Sequence, residues 1–163
     1  MRRIFLIFTL FLFSLTMVAC DPSDYFFDTH ELQRKMAEIS LINYDFPNIN
    51  TVKGLEDIEP FDFEKVEFLE VMKSENHERF LNDLSKVHFH LSDKMTKFSN
   101  SPTGNSIMIR YKNGDILTIC SSEFSNFVGE YDAEGNKKGL TARFVTSADF
   151  NKLVNSNFAF QVK

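Results

Sequence analysis

The segment SIMIRYKNGDILTICSS, residues 106–122, is the strongest β signal in the chain. Two runs rich in Ile, Met, Leu and Thr flank Asn113-Gly114, and Asn-Gly between β-formers marks a hairpin closed by a two-residue type I′ turn. That turn sets a register in which Tyr111 faces Ile116, Ile109 faces Thr118 and Ile107 faces Cys120. Side chains alternate across a strand, so these six share one side, expected to be core. Met108, Arg110, Leu117 and Ile119 fall on the other side. They mix apolar anchors with an arginine and form the candidate partner surface.

Towards the C-terminus, Phe127 to Tyr131 and Leu140 to Val145 suggest a second hairpin around DAEGNKKG. Thr146 or Ser147 can cap a short helix carrying Phe150, Leu153 and Val154. NFAFQVK then alternates as a last strand would. Towards the N-terminus, SNSPTGNS reads as a loop. KVHFHLS reads as a strand with Val87, Phe89 and Leu91 on one face and His88 and His90 on the other. His77, Phe80, Leu81, Leu84 and Val87 recur at helical spacing, which predicts a helix from about Glu75 to Ser85. Glu64 to Met72 fits strand or helix, and strand is expected because Ser74-Glu75 reads as a fresh helix start. Asp28 and Glu31 form a capping box. Leu32, Met36, Ala37 and Ile39 behind it predict a helix from about Thr29 to Ile42. Residues 48–60 read as irregular, with a short strand near Val52.

Helices first and a meander afterwards point to α+β: a helix packed on an antiparallel sheet of about four to five strands, with an N-terminal helix and a short C-terminal helix. This order is similar to cystatin-like and related small sheet-on-helix folds, and to small uncharacterised lipoproteins of low-GC bacteria. Fold likeness of that kind carries no function.

The first 23 residues supply an address. Arg2 and Arg3 precede an almost unbroken apolar run from Ile4 to Val18, and the chain turns polar at Asp21. A basic head, an apolar core and a small residue at the exit describe an export signal. The run is shorter than the ~20 residues a spanning helix needs. Met17-Val18-Ala19-Cys20 resembles the lipobox of bacterial lipoproteins, although leucine is usual where Met17 stands. The resemblance implies lipid attachment to Cys20, removal of residues 1–19 as a signal peptide, and a lipid-anchored mature protein on the extracytoplasmic face of the cell membrane. Asp21 resembles the inner-membrane retention signal of enterobacterial lipoproteins. The expected organisation is a signal at 1–19, a tether at 20–28 and one α+β domain at 29–163.

Losing Arg2 and Arg3 with the signal takes the net charge from −5 to −7. An acidic surface argues against nucleic acid, whose phosphates need a basic stripe. With Cys20 lipidated, Cys120 is alone and is expected to be buried and unpaired. No cofactor is expected. His88 and His90 at i and i+2, with His77 on the preceding helix, are weak candidates for a metal site, because zinc needs three or four ligands. Asp132 and Glu134 lack the alternating acids of a calcium loop. No G-x-S-x-G, phosphate-binding glycine loop or nucleophile–base motif occurs, so no catalytic residue is assigned. These observations favour a non-enzymatic lipoprotein that binds a protein or envelope partner. A small-ligand or metal-binding lipoprotein is the alternative, and a small hydrolase ranks third.

Overall fold

The computed structural model describes residues 24–45, 61–92, 103–120, 126–138 and 142–160. The lipobox, with Cys20, and residues 48–60, with the strand expected near Val52, lie outside the described residues. Eight strands alternate with three helices: β1 (Asp24–Tyr25), α1 (Thr29–Lys35), β2 (Met36–Asp45), β3 (Glu67–Val71), α2 (His77–Leu84), β4 (Phe89–Ser92), β5 (Thr103–Tyr111), β6 (Ile116–Cys120), β7 (Asn126–Tyr131), β8 (Ala142–Val145) and α3 (Ser147–Asn157). All eight strands form a single antiparallel sheet in the order β1-β4-β8-β7-β6-β5-β2-β3. The class is α+β as expected, on a sheet wider than four or five strands. The β5–β8 meander is its centre.

The largest difference from the sequence reading lies in β2. The helix begins where expected, with Glu31 N–H donating to Asp28 Oδ1 at 2.9 Å, but it ends at Lys35. Met36 to Asp45 is a strand between β3 and β5. Ile39 and Leu41 face one side of the sheet and Ile42 and Tyr44 the other, all buried. A strand covered on both faces reads as a continuous apolar run and loses its alternation. Met36 and Ile39, three apart, then mimic a helical stripe.

The central hairpin is present with its register moved by one residue. Arg110 pairs with Ile116, Met108 with Thr118, and Ser106 with Cys120. Gly114 has φ +93°, while no described non-glycine residue takes positive φ. Asn113 therefore stays right-handed, and the connection is a three-residue loop with a glycine bulge in place of a type I′ turn. Tyr111 N–H donates to Asp115 O at 2.8 Å and Gly114 N–H to Tyr111 O at 3.0 Å. The slip turns β6 over relative to β5. Ile107, Ile109, Leu117 and Ile119 now face the helices, and Met108, Ile116 and Cys120 face the other side.

Helices α2 and α3 cover the first face with Phe80, Leu84, Phe150 and Val154. Each such side chain contributes about 1.5–3 kcal/mol when fully buried. Thr146 Oγ1 caps α3 by accepting from Asp149 N–H at 3.1 Å. On the second face Phe61 stacks on Tyr44 at 4.5 Å between ring centroids and tilts against Tyr131 at 5.3 Å.

Four other expectations are corrected or refined. Glu64–Met72 resolves into a 3₁₀ turn at Phe63–Lys65 followed by β3. Thr103 to Asn105, expected in a loop, already belong to β5. Phe158 to Phe160 form no strand; the Ala159 and Phe160 N–H groups donate to Glu70 Oε2 at 2.8 and 3.0 Å. Asp24 pairs with His90 and Tyr25 with Phe89, so the folded part begins within the segment expected to be tether.

Candidate functional site

Helix α1 and the turn of the β5–β6 hairpin meet because β2 lies beside β5. Met36 pairs with Tyr111, which brings the last turn of α1 over residues 112–114. Lys112 fastens the two: its N–H donates to Lys35 O and its Nζ to Arg34 O, both at 2.8 Å. These carbonyls belong to the helix end, where no further helical N–H is available. From the other side, Lys138 reaches over from the β7–β8 connection and pairs with Asp115 at 2.5 Å.

Between these parts lies a half-open cleft of about 590 Å³. Half-buried Tyr111 lines it, with the buried Phe27, Leu32 and Leu117 beneath. Its charged surface comes in equal numbers of each sign: Asp28, Glu31, Asp115 and Glu130 against Arg34, Lys35, Lys112 and Lys138. Glu31 and Lys35 pair along the helix at 2.5 Å. Lys138 and then Asn113 hold the Asp115 carboxyl below the usual carboxylate range by hydrogen bonding. Asp115 in turn raises Lys138. Among the described residues that line the cleft there is no Ser, Cys or His.

Cys20 lies outside the described residues; of the other residues singled out from sequence, the described ones are not brought together in one place. Met108 and Leu117 are 1% exposed and Ile119 is fully buried. Three of the four residues of the candidate partner surface are therefore interior: the one-residue slip puts Leu117 and Ile119 on the helix-covered face, and Met108 lies on the second face in a cluster with Tyr44 and Phe61. Arg110 is half-buried, and its Nε has no hydrogen-bond partner. His77 opens α2, half-buried, and His88 stands exposed before β4 with its ring against Phe26. The backbone of His90 pairs with Asp24 and Phe144; its side chain lies outside the described residues. Among the described residues no three His, Cys, Asp or Glu side chains gather as a metal set. Asp132 spends its oxygens on its own turn, accepting from the N–H groups of Glu134 and Asn136 at 3.0 and 2.7 Å.

Cys120 is fully buried and unpaired. Burial pushes its thiol up to about 12, and Sγ donates to Thr118 Oγ1 at 3.3 Å. A protonated, enclosed thiol is a poor nucleophile. Thr118, Ser106 and Ser40 are also fully buried, so this face carries a small polar seam within its apolar cover.

The cleft was missed although both of its walls were legible. The Asp28 capping box and the Asn113-Gly114 turn each stand out in the sequence. Their meeting depends on β2 pairing with β5, which a helix over residues 36–42 would forbid. No helix among the described residues is long and apolar enough to cross a membrane. No family model matches the chain, and no curated protein or solved structure matches it.

Proposed function

We propose that the chain is a lipoprotein anchored through Cys20 on the extracytoplasmic side of a bacterial membrane. Its folded part is a non-enzymatic module that holds a polar segment of an envelope polypeptide. The observation that carries the binding role is the α1–hairpin cleft, with apolar surface and a balanced set of opposite charges. One sign alone would suit a simple anion or cation. Both signs together beside apolar side chains suit a polypeptide, which presents both charges and hydrocarbon. The volume also falls in the ~300–1,000 Å³ range of small-molecule sites, which supports a small-ligand lipoprotein as the second reading.

Crosslinking in intact cells followed by membrane fractionation tests both parts. The wild type is expected in the membrane fraction with a specific envelope polypeptide attached, and Cys20→Ser is expected to leave that fraction or stall in processing. Arg34→Glu reverses one charge on the cleft without touching the core and should weaken capture about tenfold, equivalent to ~1.4 kcal/mol. Undiminished capture by Arg34→Glu would remove the cleft from the account. Normal processing and membrane retention of Cys20→Ser would remove the lipid anchor.

A further inference from the structure

We infer that the β1 edge of the sheet is the membrane-facing end of the molecule, and that the Phe26 ring enters the lipid interface. This rests on the lipid attachment at Cys20 proposed above. Strand β1 begins at Asp24, so only Asp21, Pro22 and Ser23 separate the cysteine from the sheet. Four residue steps span at most about 14 Å when fully extended. The headgroup region on each side of a bilayer is itself roughly 5–8 Å deep. An acylated Cys20 therefore keeps the first strand within or just above the headgroups, whatever the rest of the domain does.

The side chains at that edge suit such a position. Phe27 is buried and its ring meets Phe89 edge-on at 4.9 Å. Phe26 is left on the outside, 47% exposed. The His88 ring stands beside it, with centroids 4.7 Å apart and planes at 66°. A phenylalanine flanked by an imidazole matches the gradient at a membrane surface, where apolar rings sink towards the acyl boundary and polar rings stay with the headgroups. The net negative charge of the protein makes this contact apolar, not electrostatic. The cleft begins at Phe27 and Asp28, so an inserted Phe26 would turn a loose tether into an oriented platform. Its cleft would then open close to the bilayer.

The sheet supplies its own control. Phe68, equally exposed at 47%, sits on β3 at the opposite edge. Seven strand spacings separate the two edges, about 34 Å. The chain contains no Trp, so Phe26→Trp and Phe68→Trp each introduce a single indole, excited selectively at wavelengths its tyrosines do not absorb. The full chain, acylated at Cys20 and reconstituted into phosphatidylcholine vesicles with brominated acyl chains, should show at least threefold stronger quenching of the indole at position 26 than at position 68. The emission at position 26 should also shift to the blue. Slow native labelling of Cys120 confirms that both variants are folded. An unquenched indole at position 26 in protein that floats with the vesicles, or quenching at position 68 that equals or exceeds it, overturns the inference and leaves the lipid anchor standing. Protein that carries no lipid at Cys20 by mass and does not float overturns the anchor and the inference together.

Discussion

At the scale of single residues, Cys120 shows how burial becomes a measurable pH dependence. Its thiol titrates near 9 when unfolded and near 12 when folded, chiefly because enclosure disfavours the thiolate. The folded pKa is raised, so the contribution is fully present below pH 9 and is lost as pH rises towards 12. In that window the native state keeps a proton that the unfolded state has released, and stability falls by ~1.4 kcal/mol per pH unit for this group. Tyr131 and Tyr44 are also raised by burial and add their own loss above pH 10. Urea midpoints for the wild type should decline from pH 9 to 10 more steeply than those for Cys120→Ser, which lacks the titrating thiol. Parallel curves would mean that the thiol is not enclosed. The burial of Cys120 was legible in the sequence from its place in a β-rich hairpin. Its neighbour was not: Ser106 lies opposite it where Ile107 was expected, because a single glycine takes the positive φ at the turn.

Among elements, those with local chemical punctuation were the legible ones. The caps at Asp28 and Thr146, the stripe of α2 and the β7–β8 pairing all stand as the sequence indicated. What failed was β2, whose identity depends on pairing with β3 and β5, well removed in sequence, and not on its own punctuation. The cover of the second face is non-local too. Phe61 N–H donates to Gly135 O at 2.8 Å, tying the segment before β3 to the turn after β7. Gly135 has φ +86°, and a Cβ there would lie 2.2 Å from Phe61 O. Gly135→Ala is therefore expected to cost about 1–3 kcal/mol from overpacking and an unfavourable backbone. It should also loosen Phe61 from Tyr44 and Tyr131, which chemical shifts of the three rings would report. An unchanged melting curve with unchanged ring shifts would show that the two turns do not depend on each other.

For the molecule as a whole, the strand order governs how it is built. The meander β5–β8 is contiguous in sequence. β1 must find β4, and β4 must find β8, across loops of about 50 residues or more whose closure entropy comes first. Folding of the isolated domain is expected in milliseconds to seconds, with the meander formed early and β1 docked late. Ile119→Val in β6 should slow folding, whereas Phe27→Leu beside β1 should mainly hasten unfolding. Chevron plots of the two variants decide the matter, and the opposite partition would place the nucleus at the β1–β4 end.

The outer strand β3 has one further consequence. Its register against β2 shifts between Leu41 and Ile42, with Leu69 unmatched, and Glu70 is occupied by the amides of Ala159 and Phe160. A straight edge bearing Phe68 and Val71 would be a template for end-to-end polymerisation, most of all for molecules confined to a plane, where encounters are frequent and orientations shared. The irregularity at Leu69 breaks the hydrogen-bond repeat that such a fibre would need, so this edge is a poor template for adding a further strand.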